Sequence, residues 1–283
     1  MTTVLDILDK GTAFLEKRGI DDARRNMQWL VAHQLGCSRV ELYMRFDEPL
    51  DESALAPLRE QLKKRGDGTP LQYLTGLVGF GDHEFHCDSR ALIPRPETEE
   101  LATWLIEHAP LDDRAVALDI GCGSGVLGLS LAVAFPAAKV FLTDISADAL
   151  DLARENAAQL KLENVEFFHG DLFAPLPPDA RFDLIVSNPP YVAESERASL
   201  ARELHHEPDV ALFAGADGLD VIRQIITEAP PFLNPNARLA LEIGIDQSAA
   251  VEALMREAGL TDVLTQRDLS GIPRFPMGKA ANY

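Results

Sequence analysis

Through the first 75 residues, apolar side chains recur at every third or fourth position, which is the spacing of helices that bury one face. In residues 21–36 both ends of the pattern are marked. Asp21 or Asp22 can accept amide protons of the first turn, and Gly36 can adopt the left-handed conformation that ends a helix. The same spacing predicts helices over residues 3–17, 38–45 and 53–65. We expect a small helical domain over residues 1–75, for which a stabilising and a partner-docking role are equally open.

Residues 76–95 have a different pattern, in which apolar and polar positions alternate around Phe80 and Phe85. Gly79 and Gly81 lie where the chain can turn. We predict a hairpin that links the helical domain to the rest of the chain.

From residue 115 onward, short apolar runs alternate with segments of helical spacing. The predicted strands cover residues 115–120, 139–143, 165–169, 182–187 and 238–243. The predicted helices cover residues 125–135, 147–160, 219–228 and 247–258. Because strand and helix alternate, we expect an α/β domain over residues 96–283, with a parallel sheet that carries helices on both faces.

A glycine-rich turn, Asp-Ile-Gly-Cys-Gly-Ser-Gly over residues 119–125, follows the first of these strands. A strand, a glycine turn and a helix in this order are typical of nucleotide sites, because glycine lets the backbone approach a ligand closely. The dinucleotide fingerprint requires glycine at position 126, where this chain has Val126. This departure weakens the case for NAD. For the glycine turn taken alone, the alternative is a structural loop that binds no ligand.

Carboxylates end the next two predicted strands, at the same edge of the sheet. Asp144 lies roughly 20 residues beyond the glycine turn, where a carboxylate can accept hydrogen bonds from both hydroxyls of a ribose. The alternative for Asp144 is a helix N-cap. Asp171 can accept a hydrogen bond from the amine of an adenine, and its alternative is a turn-forming aspartate. The glycine turn and Asp144 together are more specific than either is alone.

The most informative segment is Asn-Pro-Pro-Tyr at residues 188–191, directly after the fourth predicted strand. Proline has no N–H and a fixed φ, so the carbonyls of Asn188 and Pro189 are held rigidly and left free. Asn188 adds a side-chain carbonyl, and Tyr191 adds an aromatic face. This set of groups suits the binding of a planar NH₂ group through its two protons.

Charge and composition narrow the choice of partners. The chain has 26 Lys and Arg against 45 Asp and Glu, and its net charge of −19 repels the phosphate backbones of nucleic acids. With 283 residues, of which 46% are hydrophobic, the chain is long enough for about two domains with apolar cores.

Cysteine usage and hydropathy indicate a cytoplasmic protein. Cys37, Cys87 and Cys122 are too few for a disulfide framework and too widely spaced for a zinc site, so we expect reduced thiols and no metal. The N-terminus lacks the cationic region of a signal peptide. The longest apolar stretch, around residues 126–135, is shorter than the ~18 residues of a membrane span.

At these residues the chain resembles the Rossmann-like methyltransferases that use S-adenosylmethionine, in particular those that methylate a planar nitrogen and carry Asn-Pro-Pro-Tyr. Within that group it is similar to the release factor glutamine N5-methyltransferases. The similarity runs nearly from end to end of the chain. Besides the glycine turn and the tetrapeptide, it includes Thr-Pro-Leu-Gln-Tyr-Leu-Thr-Gly at 69–76, Leu-Ile-Pro-Arg-Pro-Glu-Thr-Glu at 92–99, Glu-Pro at 207–208 and Ala-Leu-Phe-Ala-Gly-Ala-Asp-Gly-Leu at 211–219.

The resemblance implies a seven-stranded Rossmann-like sheet, a hairpin linker and a helical N-terminal domain that helps to hold the release factor. It implies methyl transfer from S-adenosylmethionine to the side-chain amide of the glutamine in the Gly-Gly-Gln motif of peptide chain release factors. The cofactor site of the family falls here on Gly121, Cys122, Gly123, Ser124, Gly125, Asp144, Asp171, Leu172 and Asn188. Its substrate site falls on Asn188, Pro189, Pro190 and Tyr191, and the expected catalytic residues among these are Asn188, Pro189 and Tyr191.

The chain departs from the family at two positions. Many relatives have an aromatic residue where this chain has Leu172, so packing against adenine would here be aliphatic. A proline within residues 274–279, where relatives have a regular last strand, predicts an edge strand. Arg95 lies between two prolines, where it either faces the cofactor or anchors the linker.

Two other functions fit parts of the sequence. A nucleic-acid adenine N6-methyltransferase would bind a similar planar NH₂ group, but the net charge and the absence of a Lys/Arg cluster argue against it. A catalytically silent binding module would use the fold only to hold a partner. The intact Gly121, Asp144 and Asn188 argue against that reading.

Overall fold

The computed structural model describes residues 2–109 and 111–281, and its chain divides into two units. The first unit comprises the residues up to Leu77 together with Ala201–His206. The second comprises Val78–Leu200 and the residues from Glu207 onward. The outer limits of the two predicted domains, residues 1 and 283, lie outside the described residues.

The first unit is helical, as the spacing of its apolar residues predicts. Its helices are α1 (Val4–Lys17), α2 (Ala23–Gln34), α3 (Arg39–Leu42), α4 (Glu52–Gly66) and α5 (Leu71–Thr75). A core that includes Leu8, Met27, Leu30 and Leu58 lies between them. Helix α5 was not predicted because five residues are too few to show a helical period.

The two ends of α2 differ in how well they follow the prediction. Gly36 has a φ of 59° just beyond the helix, which confirms the left-handed stop. Asp22 occupies the N-cap position, but its φ of 50° and ψ of 34° lie outside the extended conformation from which a side chain caps. Among the described residues, no backbone N–H of the helix donates to the side chain of Asp22 or of Asp21, so the predicted cap is wrong. Instead, Asn26 Nδ2 donates to the carbonyls of Asp21 and Asp22 at 3.0 and 3.2 Å.

A two-stranded hairpin follows, as predicted, with β1 (Leu77–Phe80) and β2 (His83–His86). The rings of Phe80 and Phe85 are buried and meet edge to face with their centroids 6.0 Å apart. Helix α6 (Pro96–His108), which was not predicted, comes after the hairpin.

The second unit is built on a seven-stranded sheet, which confirms the α/β, Rossmann-like fold class. Its strands are β3 (Val116–Ile120), β4 (Lys139–Asp144), β5 (Val165–His169), β6 (Phe182–Ser187), β7 (Leu233–Leu241), β8 (Thr261–Arg267) and β9 (Pro273–Lys279). The helices that follow are α7 (Val126–Ala134), α8 (Ala147–Gln159), α9 (Asp220–Glu228) and α10 (Ser248–Glu257). In the part of the chain that the structure covers, no helix has both the length and the apolar character needed to cross a membrane.

Two apolar layers cover the sheet. One contains Leu105 of α6, Leu129 of α7 and Leu150 of α8. The other contains Ile225 of α9 and Met255 of α10. Both faces of the sheet are therefore covered at its centre, in agreement with the mostly apolar sequences of β3 and β6.

The sheet is mixed, whereas strict strand–helix alternation predicted a parallel one. The strand order is β5-β4-β3-β6-β7-β9-β8; the first five strands are parallel, and β9 is antiparallel to both of its neighbours. The predicted edge position of the last strand is wrong, since β9 lies inside the sheet and β8 forms the edge. Pro276 is accommodated because the ladder between β7 and β9 runs over Met277–Lys279, just beyond the proline and its missing N–H.

The direction of the chain through the sheet reverses next to β3. From β3 the chain moves outward to β4 and β5, and it then returns to β6 on the other side of β3. The loops that leave the carboxyl ends of β3 and β6 diverge at this point, which is where open α/β sheets bind their ligands.

Asn156 of α8 connects the hairpin to the glycine turn. Its Oδ1 accepts a hydrogen bond from the backbone N–H of His86 at 2.6 Å, and its Nδ2 donates to the carbonyls of His86 and Ser124 at 3.2 and 2.9 Å. The side chain is completely buried.

We expect Asn156→Ala to lower the melting temperature by about 4–8 °C, because it leaves the buried Ser124 carbonyl without its donor and breaks both bonds to His86. The measurement is thermal unfolding followed by circular dichroism. Gln159→Ala is the matched control, since Gln159 lies one turn later and donates to Glu84 at 2.7 Å in an exposed setting. Equal melting temperatures of the two variants would contradict this role of Asn156.

Candidate active site

A cavity opens at the carboxyl ends of β3, β4 and β6, beside the reversal in strand order. Its wall contains predicted site residues from the carboxyl ends of four strands, β3, β4, β5 and β6, or from the loops that follow them. These residues are Gly121, Cys122, Gly123, Ser124, Asp144, Asp171, Leu172, Asn188, Pro189 and Pro190.

Two predicted site residues lie outside this wall. Gly125 begins α7 with a φ of 84°, and a Cβ at this position would lie only 3.1 Å from Ala153 Cβ, so the glycine permits close packing of α7. The ring of Tyr191 lies beside Gly244, and burial raises the pKa of its phenol to about 12. The assignment of Gly125 to the cofactor and of Tyr191 to the substrate stays a prediction.

The glycine turn is held by Asp144 at the end of β4. Gly121 and Gly123 have φ angles of 64° and 56°, which side chains disfavour. The backbone N–H of Gly123 donates to Asp144 Oδ2 at 2.8 Å, and the N–H of Ser146 donates to Oδ1 at 2.8 Å. One carboxylate therefore ties the turn after β3 to the loop after β4.

Asp144 is not the N-cap of α8, which was its alternative reading. Ser146 holds that position, and its side chain accepts from the N–H of Ala149 at 3.2 Å. Burial raises the pKa of Asp144, and the two backbone donors act in the opposite direction. Each carboxylate oxygen accepts a hydrogen bond from one of these backbone donors and has further acceptor capacity, which a pair of ribose hydroxyls would use.

Asp119, the penultimate residue of β3, was not predicted as a site residue although it lines the cavity. It is buried, its Oδ2 accepts from the N–H of Gly128 at 2.8 Å, and burial raises its pKa to about 7. A Cβ on Gly128 would lie 2.9 Å from Asp119 Cβ, so α7 approaches β3 closely here. The sequence signal was a carboxylate inside an otherwise apolar strand, directly before the glycine turn.

The sequence left open whether Leu172 and Arg95 contact the cofactor, and the structure places these two residues differently. Leu172 lies in the cavity wall with a left-handed φ of 44°. Arg95 is not in the wall; its guanidinium pairs with Glu207, a buried carboxylate that also accepts from the N–H of Ile93 at 2.9 Å. Arg95 therefore anchors the linker.

The register of β6 and β7 places the carboxylate of Glu242 beside Asn188. Ser187 pairs with Leu241, so the residues that follow, Asn188 and Glu242, leave the sheet side by side. Thr98, in the first turn of α6, lies against both of them. Neither Thr98 nor Glu242 was predicted as a site residue. Thr98 lies in the family-like segment 92–99, and Glu242 is the penultimate residue of the predicted strand 238–243.

A short hydrogen-bond chain joins these three side chains. Thr98 Oγ1 donates to Glu242 Oε2 at 2.7 Å and accepts from Asn188 Nδ2 at 2.9 Å. Asn188 Oδ1 is buried and has no hydrogen-bond partner among the described residues. A buried acceptor without a donor is unfavourable, so this oxygen suits a ligand that brings an N–H.

Comparisons with known proteins agree with this geometry. Residues 98–218 match the methyltransferase small domain family, and residues 6–76 match the PrmC N-terminal domain family. A methyltransferase structure from Pyrococcus furiosus has the same fold, with a TM-score of 0.52 at 17% identity over 82% of this chain and 100% of that chain.

Two curated relatives extend the similarity to the whole chain. The release factor glutamine methyltransferase of Geobacter sulfurreducens is 39% identical over 278 residues, which cover 98% of this chain and 96% of that protein. The release factor glutamine methyltransferase of Deinococcus radiodurans is 40% identical over 276 residues, which cover 98% of both. The chain therefore belongs to the release factor glutamine methyltransferase family.

Proposed function

We propose that this enzyme transfers a methyl group from S-adenosylmethionine to the side-chain amide nitrogen of a release factor glutamine, the glutamine of the Gly-Gly-Gln motif. The observation that carries the proposal is the buried Asn188 Oδ1, which has no donor among the described residues, with Pro189 following it in the cavity wall; the Pro189 carbonyl would be the second acceptor. An amide NH₂ group has two protons in one plane, one for each of these oxygens.

The residues of the cavity fit the cofactor. When bound, S-adenosylmethionine supplies an electrophilic methyl group. Gly121 and Gly123 would let the backbone approach it, Asp144 would accept from the ribose hydroxyls, and Asp171 would accept from the adenine amine. Leu172 would pack against the adenine.

Asn188 and Pro189 would act on the nitrogen that is methylated. An amide nitrogen is a poor nucleophile, and as it forms the new bond its N–H protons become more acidic. Hydrogen bonds to fixed acceptors then strengthen, so Asn188 Oδ1 and the Pro189 carbonyl stabilise the transition state more than the bound substrate. The product loses one proton to water or to a carbonyl, without a dedicated base.

Incubation with labelled cofactor and either a release factor or DNA tests the substrate class. We expect label in the release factor and, after proteolysis, in the peptide that contains Gly-Gly-Gln. Label in DNA would favour the adenine methyltransferase alternative. No label in either would favour the silent binding module.

We extend the proposal to the helical unit, which would dock the release factor. Val40 and Met44 are 76% and 80% exposed, and their spacing of four places them on one side of α3 and the turn after it. Tyr43 beside them is also exposed. Exposed apolar groups of this kind are typical of protein-binding surfaces.

The first prediction from the proposed function concerns Asn188. We expect Asn188→Ala to lower kcat by on the order of 10²-fold or more, because it removes one of the two preorganised acceptors. Steady-state kinetics with release factor at saturating cofactor measures the effect, and thermal unfolding shows that the variant is folded. Turnover within a few-fold of the parent would refute the acceptor role.

The second prediction concerns Asp144. We expect Asp144→Ala to weaken cofactor binding by about 10–100-fold, since hydrogen bonds to a charged group are lost and the glycine turn is released. Isothermal calorimetry measures the dissociation constant. Asp148→Ala, on the exposed first turn of α8, is the control that should bind as the parent does. An unchanged constant for Asp144→Ala would argue against its role at the ribose.

The third prediction concerns the docking surface. We expect the double variant Val40→Ser, Met44→Ser to raise KM for the release factor by about tenfold and to leave the cofactor dissociation constant unchanged. Leu264→Ser, at an exposed apolar position of β8, is the control. A KM equal to that of the control would place the docking surface elsewhere.

A further inference from the structure

Three side chains from distant parts of the sequence meet at the cavity wall: Thr98 and Asn188 line it, and Glu242 lies behind Thr98. Glu242 is 1% exposed and Thr98 is 3% exposed. Thr98 Oγ1 lies 2.7 Å from Glu242 Oε2 and 2.9 Å from Asn188 Nδ2, and Asn188 Oδ1 is the free end of the chain within the described structure.

The chemistry of these groups fixes the direction of the chain. An ionised carboxylate only accepts hydrogen bonds, so the single proton of the Thr98 hydroxyl points to Glu242. The oxygen of Thr98 is then available only as an acceptor, and Asn188 must turn its NH₂ group toward it. The reverse rotamer would place Asn188 Oδ1 against the Thr98 lone pairs with no proton between them.

We propose that Thr98 and Glu242 are positioning residues that keep the oxygen of the Asn188 amide available to the substrate, and that protonation of Glu242 releases this control. The inference rests on the proposed function, in which that oxygen accepts a proton of the glutamine amide. Thr98 and Glu242 would thereby make the site select a hydrogen-bond donor, such as the substrate NH₂ group, over an acceptor.

The surroundings of Glu242 make the orientation of the Asn188 amide sensitive to pH. Burial raises the pKa of Glu242 to about 7, with a further increase from Glu97, while Arg274 and Arg95 lower it; Tyr191 also faces it. A protonated Glu242 can donate to Thr98, whose own proton is then free for Asn188 Oδ1. Asn188 could then present its NH₂ group, which would oppose the NH₂ group of the substrate.

The sign of the effect follows from the ionised state that the chain of bonds requires. Glu242 is charged above its pKa, so kcat should rise as the pH increases through about 7 and then become constant. Below that range the Asn188 rotamer is no longer specified, and kcat should fall.

Four variants test the inference through the pH profile of kcat at saturating cofactor and release factor. Thr98→Val keeps the shape but lacks the hydroxyl; we expect a kcat lower by about tenfold at high pH and no acid limb. Thr98→Ser restores the hydroxyl and should restore both. Glu242→Gln should remove the acid limb, because the amide does not titrate. Thr103→Val, on the exposed side of the same helix, should behave as the parent.

A second measurement reports on the chain without catalysis. The side-chain ¹⁵NH₂ signal of Asn188 is assigned by its loss in Asn188→Ala. In the cofactor-free parent this signal should shift with pH, and the midpoint of its titration should equal the midpoint for the carboxyl ¹³C signal of Glu242. In Thr98→Val the two titrations should no longer coincide. Melting temperatures and cofactor dissociation constants near those of the parent show that the variants are folded.

The two measurements separate the possible failures. If the parent methylates neither release factor nor glutamine peptide, the proposed function fails, and the coincidence of the Asn188 and Glu242 titrations still decides the inference. An unchanged acid limb in Thr98→Val, or an Asn188 signal that does not follow Glu242, would overturn the inference while leaving the proposed function intact.

Discussion

The site depends on the register of β6 between its two parallel neighbours. Asp119 of β3 pairs with Val186, and Ser187 pairs with Leu241 of β7, so the three strands end at nearly the same height. Ser187 Oγ donates to the Ile120 carbonyl at 2.6 Å, which fixes the end of β6 against β3. A shift by one residue would turn every side chain of β6 to the opposite face. The register therefore places the glycine turn and Asn188 in the wall of one cavity, with Glu242 beside Asn188.

The cost of this arrangement is the burial of negative charge at one edge of the sheet. Burial raises the pKa of Asp119 and of Glu242 to about 7, and it raises the pKa of Asp144. The folded state thus binds protons more tightly than the unfolded chain. These carboxyls therefore reduce the stability of the fold progressively as the pH rises from their ordinary pKa values toward 7. Backbone N–H donors and the Thr98 hydroxyl limit this loss, and strongly perturbed groups of this kind are typical of functional sites.

Local patterns were sufficient for most elements and for the residues that follow the strands. The strands over 165–169 and 182–187 have the predicted bounds. The central strand 182–187 is mostly buried because helices cover the sheet on both faces, and an apolar run marks such a strand in the sequence. The inner position of β9 could not be predicted, since it depends on which neighbour accepts a strand with Pro276. The meeting of Thr98 with Glu242 spans 144 positions of sequence and arises only from the β6–β7 register and the placement of α6.

In the proposed function, the groups that contact the substrate nitrogen are all acceptors, and this limits which substrates the site would distinguish. A glutamate side chain would place an oxygen against Asn188 Oδ1 and the Pro189 carbonyl, and three acceptors without a proton repel one another. A glutamine and an adenine both bring a planar NH₂ group, so the acceptors do not separate them. That choice must come from outside the cavity. The net charge of −19 disfavours a phosphate backbone, and the proposed docking surface at Val40 and Met44 would favour a protein, so in the proposed function the selection of the carrier would be physically separate from the selection of the nitrogen.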